Sequence, residues 1–102
     1  MISYRIGKLS QQIKIQLSHL IKYTLKDPRI KKNITIHSVK ISKDLKLADI
    51  YWTLFCDTKL KDVYENLLHL SSGYLRYKLS QTIKTHQVPI LKFHFYESIN
   101  NI

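Results

Sequence analysis

The side chains in this sequence that could do chemistry are mostly cations. Seventeen Lys and Arg stand against seven Asp and Glu in 102 residues, a net charge of +10. On so small a chain that excess costs self-repulsion, which a polyanionic neighbour relieves. Nucleic acid is the leading partner and an anionic membrane surface the second. Catalytic chemistry is poorly served. The carboxylates are scattered, with no close pair for acid–base work, and two glycines cannot build a glycine-rich phosphate loop. His19, His37, His69, His86 and His94 show no ligand spacing with Cys56 that would hold zinc. The expectation is a binding protein with no cofactor, no metal and no small-molecule substrate.

The cations and their aromatic neighbours fall into two regions. Arg5, Lys8, Lys22 and Lys26 share the polar side of an N-terminal periodic segment, and Arg29, Lys31 and Lys32 follow at once. The second region contains Tyr74, Tyr77, Lys78 and Lys84, which project away from an apolar stripe. Arg76 lies at the edge of that stripe. It either reaches a phosphate or packs its stem on the core while its head snorkels outward.

Periodicity supplies the elements that must position these groups. Residues 4 to 26 read as a helix with Ile6, Leu9, Ile13, Leu17, Leu20 and Ile21 on one face. Ser3 is its candidate cap, and Asp27-Pro28 ends it. Residues 33 to 42 read as a strand. Its apolar residues change face between Ile36 and Val39, which predicts either a bulge or a strand covered partly on both sides. Residues 48 to 55 read as a second strand, antiparallel to the first across the short Lys43–Lys46 connection. Asp57 or Thr58 is the expected cap of the next helix. In that helix Leu60, Val63, Leu67 and Leu70 form one apolar run and Leu75, Leu79 and Ile83 another. Ser71-Ser72-Gly73 lies between them. The spacing predicts a kink there, with Gly73 in the φ > 0 region that ends one helix and lets the next leave at a new angle. Ser71 is expected to face inward. After Val88-Pro89, Leu91, Phe93 and Phe95 alternate with Lys92, His94 and Tyr96 as a third strand.

These elements fit a single domain spanning residues 1–102, with 98–102 as a short polar tail. The fold class is α+β, in the order helix, strand, strand, helix, kink, helix, strand. Its natural packing is a three-stranded sheet with the helices on one face. No apolar run approaches the ~18 residues of a membrane span. The N-terminal MISYRIGKLSQQIK lacks the apolar core of a signal peptide. The single Cys56 makes no internal disulfide, which fits a reducing cytoplasm.

Four stretches in this order resemble the ribosome-binding factor A family. They are Lys26-Asp27-Pro28-Arg29; Val39-x-Ile41-Ser42-x-Asp44-Leu45 running into Ala48-x-Ile50-Tyr51; Ser71-Ser72-Gly73-Tyr74-Leu75-Arg76; and Pro89-x-Leu91-x-Phe93 before Glu97-Ser98. The resemblance covers nearly the whole chain and implies a type II KH-like fold. In it, an interrupted helix with an Ala-x-Gly kink replaces the GXXG loop of ordinary KH domains. Ser71 stands where that family has Ala, and Lys84, Thr85 and His86 stand where it often carries arginines. The partners it implies are the 30S subunit and 16S rRNA, with a role in late maturation and in processing of the 16S rRNA 5′ end. The protein would act as a monomer, with no membrane partner. Docking would be electrostatic, with shape deciding the site. A KH-like adaptor for protein, or a DNA-binding helix-turn-helix, is the alternative. Tyr77, Gln81 and Lys84 make a thin set of base-reading side chains for the latter.

Overall fold

The computed structural model describes residues 2–23, 34–54, 58–83 and 88–97. Helix α1 spans Ile2–Tyr23, strand β1 Ile34–Ile41 and strand β2 Leu47–Leu54. A single 3₁₀ turn, Thr58–Leu60, leads into helix α2, Lys61–Thr82, and strand β3, Ile90–Phe95, follows. The sheet order is β1-β2-β3. β1 pairs antiparallel and β3 parallel with the central β2. α1 packs on β1, α2 packs on β3, and the helices touch each other.

Burial explains why these segments take these forms. Ile13, Leu17, Leu20 and Ile21 form the buried stripe of α1, at the spacings of three and four that keep one face of a helix inward. β2 alternates without a break: Ala48, Ile50, Trp52 and Leu54 are buried, and the residues between them are only half covered. In β1 the register slips between Ile36 and Ser38, as a bulge requires. The extra residue brings Ile36 and Val39 into the same core, although their spacing is odd. Leu91 and Phe93 of β3 complete the layer, with Phe95 packed at its margin.

The β1–β2 connection accounts for the Ser42-x-Asp44-Leu45 motif. Ser42 Oγ donates to Asp44 Oδ1 at 2.6 Å and accepts from the Leu47 amide at 3.0 Å. The Lys46 amide donates to the same carboxylate oxygen at 3.1 Å. Leu45 closes the turn at φ 63°, a left-handed conformation uncommon for a side chain with a Cβ.

Three expectations are corrected. α1 begins at Ile2, so Ser3 lies inside its first turn and is not the cap. α2 begins after Leu60, whose side chain offers no cap, so Thr58 does not hold that position, and Asp57 lies outside the described residues. Most importantly, α2 is one uninterrupted helix through Ser71, Ser72 and Gly73, and Gly73 does not have positive φ. The kink followed from taking Leu60, Val63, Leu67 and Leu70 as the inner stripe. Leu60, Val63 and Leu70 are exposed, Leu70 at 75%. The inward stripe is Tyr64, Leu68, Leu75, Leu79 and Ile83, with Ser71 and Ser72 half-buried in the gap. That stripe keeps one register, so no break is needed. Ser72 Oγ donates to the His69 carbonyl at 2.9 Å, which satisfies its hydroxyl within the helix. The Asp27-Pro28 stop, Cys56 and the 98–102 tail lie outside the described residues.

This geometry can be checked at Gly73 and at Asp44. A Cβ added at Gly73 meets no atom within 4 Å. Gly73→Ala should therefore raise stability by about 0.5–1 kcal/mol, read as a higher urea midpoint, because glycine carries an entropic cost in a helix interior. The Ser42 hydroxyl and the Lys46 amide hold the Asp44 carboxyl below its usual range. A depressed folded-state pKa contributes stability that is present above the unfolded-state value and is lost as pH falls through the folded one. Wild type should be more stable than Asp44→Asn at neutral pH. In acid titrations the gap should close once pH drops below the carboxylate range.

Candidate nucleic-acid interface

The second half of α2 presents a continuous outward stripe. Tyr74, Tyr77, Lys78 and Gln81 fall at i, i+3, i+4 and i+7, the spacing that lines up one side of a helix. Tyr74 is 46% exposed and Tyr77 59%, while Lys78 is half-buried. Gln81 Nε2 donates to Tyr77 Oη at 3.0 Å, which fixes the tilt of the ring. The exposed Gly73 lies beside Tyr74 with open space over its Cα, so a backbone or phosphate can approach the helix closely there.

Leu60, Val63 and Leu70 precede the tyrosines on the same outward side, so the face is apolar at its N-terminal end and aromatic at its C-terminal end. Ser71 and Ser72 face the margin of the core and do not project into this stripe.

Arg76 points elsewhere. Its Nε–H donates to the Val88 carbonyl at 3.0 Å, tying α2 to the buried Val88-Pro89 entry of β3. Of the two roles open to it in the sequence, this bond supplies the structural one. Lys84 and the Arg29, Lys31 and Lys32 group lie outside the described residues. The structure therefore brings together Tyr74, Tyr77 and Lys78 and separates Arg76 from them. On α1, Arg5, Lys8 and Lys22 are exposed, as the polar face predicts.

Among the described residues no three His, Cys, Asp or Glu side chains gather as a metal site would require. Nor is any helix among them long and apolar enough to cross a membrane. The structure adds two ring pairs absent from the sequence-based candidates, on the outward face of the sheet: Tyr51 with His94, and His37 with Tyr96. Their signal was present in the alternation of Lys92, His94 and Tyr96, but only the pairing register shows what lies beside them.

The described residues form a basic α+β domain, two helices on a mixed three-stranded sheet, with two tyrosines and a lysine along the outer face of α2. A family model described as ribosome-binding factor A matches residues 5–102, and the chain belongs to that family. A ribosome-binding factor A from Hahella chejuensis is 38% identical over 95% of this chain and 76% of its own length. One from Chromohalobacter salexigens is 39% identical over 93% of this chain and 73% of its own. Among solved structures, the crystal structure of ribosome-binding factor A from Thermus thermophilus aligns with a TM-score of 0.75 at 25% identity, covering 87% of this chain and 93% of that one. A Thermotoga maritima solution structure aligns at 0.79 and 25% identity, covering 94% and 91%. A Thermus thermophilus homology model fitted into a cryo-EM map of a complex of that protein with 30S aligns at 0.69 and 24% identity, covering 86% and 91%, a likeness of fold.

The Arg76 bond yields a prediction that requires no ligand. Arg76→Ala should lower stability by about 1–2 kcal/mol in urea, because a charge-assisted bond to a half-buried carbonyl is removed. Arg76→Lys should not restore it, since lysine has no donor at the Nε position.

Proposed function

We propose that this protein is a small-subunit assembly factor, binding free or precursor 30S subunits through 16S rRNA during late maturation and aiding processing of the 16S rRNA 5′ end. The family match over residues 5–102 carries this reading. The fold it shares with a protein fitted into a 30S complex supports it. It works as a monomeric single domain in the cytoplasm, by binding, with no reaction of its own and no cofactor or small-molecule substrate.

The contact surface is the outward stripe of α2. Tyr74 and Tyr77 offer flat rings for bases or riboses, Lys78 meets a phosphate, and Gly73 leaves room for the backbone. Lys84, just beyond α2 in sequence, and Arg29, Lys31 and Lys32 add cations to the domain's field. Such contacts position the protein by shape and charge, because side chains do not read the deep, narrow major groove of A-form RNA. Arg76 acts indirectly, by holding α2 against β3.

Co-sedimentation with purified small subunits tests this reading. A Tyr77→Ala/Lys78→Gln variant should bind more weakly than wild type, with a salt dependence flatter by about 0.7–0.9 for the one cation removed. A Lys8→Gln/Lys22→Gln variant on α1 should lose less. Should the α1 variant be the one that fails to bind, the interface lies on the other helix. Should wild type ignore small subunits while binding RNA generally, the chain is an RNA-binding adaptor outside ribosome assembly.

A further inference from the structure

The helices cover one face of the sheet, and the strands turn a second set of side chains the other way. On β2 these are Leu47, Asp49, Tyr51 and Thr53. Pairing places Ser38 and His94 on either side of Tyr51, and Lys40 and Lys92 on either side of Asp49. The Tyr51 and His94 rings lie 5.3 Å apart, inclined at 31°. Lys40 Nζ sits 6.0 Å from the centre of the Tyr51 ring. His37 of β1 and Tyr96, just past β3, reach across the central strand and stack at 3.9 Å and 18°. Asp49, the one carboxylate in the three strands, is bonded to His94 at 2.7 Å and so orients that imidazole.

We infer that this outward face is a second RNA-contact surface, taking an unpaired segment whose bases stack on the Tyr51–His94 rings while Lys40 and Lys92 meet its phosphates. The inference rests on the proposal that the chain binds rRNA, and adds to it a surface and a strand state. Three observations favour this occupant. The rings are polar-tipped and lie in pairs, where a membrane or an apolar protein groove would call for aliphatic residues. Lys40 and Lys92 are exposed on either side of them. Two lysines against the single carboxylate leave the three strands net positive, so the face attracts anions, as does a chain of net charge +10. Stacking needs bases free of a duplex, because paired bases already cover their own π faces. Glu65 and Glu97 share a shallow cleft with Tyr51 and His94, so the phosphate path runs away from the two glutamates, towards Lys40 and Lys92.

The test is fluorescence anisotropy of the full chain with a short labelled oligoadenylate, beside an RNA duplex of equal length. Wild type should bind the single strand more tightly. Tyr51→Val keeps a β-branched residue in the central strand. It should weaken oligoadenylate binding roughly five- to a hundredfold, the loss of one base–ring stack, and Tyr51→Phe should restore it. Lys40→Gln/Lys92→Gln should flatten the salt slope by about 0.7 for each phosphate that no longer meets a cation. A folded Tyr51→Val that binds as wild type does, or a wild-type preference for duplex, overturns the inference. If Tyr51→Val does not fold, the lysine pair decides, and an unchanged slope and affinity overturns it. The α2 variant Tyr77→Ala/Lys78→Gln separates the two proposals. Loss of small-subunit binding with oligoadenylate binding intact supports two distinct surfaces. That same loss beside an unaffected Tyr51→Val sinks the sheet surface and leaves the helix face standing.

Discussion

Everything in this molecule leans on the inward face of the central strand. Ala48, Ile50 and Trp52 are completely buried and Leu54 nearly so. At about 1.5–3 kcal/mol for each large apolar side chain removed from water, Ile50, Trp52 and Leu54 give this strand a large share of the fold's hydrophobic stabilisation. Its dimensions fix the neighbours: α1 must lie over β1, and α2 over β3, to close the two sides of one row. The closure is by shape rather than by polar pairing. The Trp52 indole N–H has no hydrogen-bond partner among the described residues, a cost of about 1–3 kcal/mol that the burial of so large a ring offsets. Phe95 meets that ring edge-on at 5.0 Å, so the two aromatics lock the end of β3 to the centre of the sheet.

A sheet with only three strands and two helices can cover one face. Parity then assigns every second residue to water, and this is where part of the sequence's excess charge goes. Opposite charges sit next to each other across the strands where Asp49 lies between Lys40 and Lys92 in register, an arrangement that eases repulsion between the two lysines. α2 divides its surface in the same manner, with an inner apolar row, a flank bonded to β3 through Arg76, and an outer row of leucine and tyrosine.

The strands were legible because alternation is local. The boundaries read from residues 33–42 and 48–55 differ by one residue from those observed, and the bulge announced itself in the change of face between Ile36 and Val39. The helix was misread for a physical reason. Tyrosine counts as polar in a simple pattern, yet Tyr64 is buried, and including it moves the inner stripe by one residue and abolishes the break at Gly73. The candidate site was half legible. Tyr74, Tyr77 and Lys78 were assignable from helical angles alone. The bond from Arg76 to Val88 joins residues twelve apart through a turn of chain direction, which no periodicity encodes. The ring cluster on the sheet likewise depends on which strand lies beside which.

The parallel pairing of β3 has a consequence for the order of events during synthesis. Leu47 meets Ile90 and Trp52 meets Phe95, so the partner strand for β2 is made only after the whole of α2. Until then the β2 edge of the nascent β1–β2 hairpin is open, and its apolar face has only α1 to lie on. Long-range pairing of this kind is slow, and an open strand edge invites association with other chains. The arrival of β3 therefore completes the core and covers the open edge of the central strand in one step.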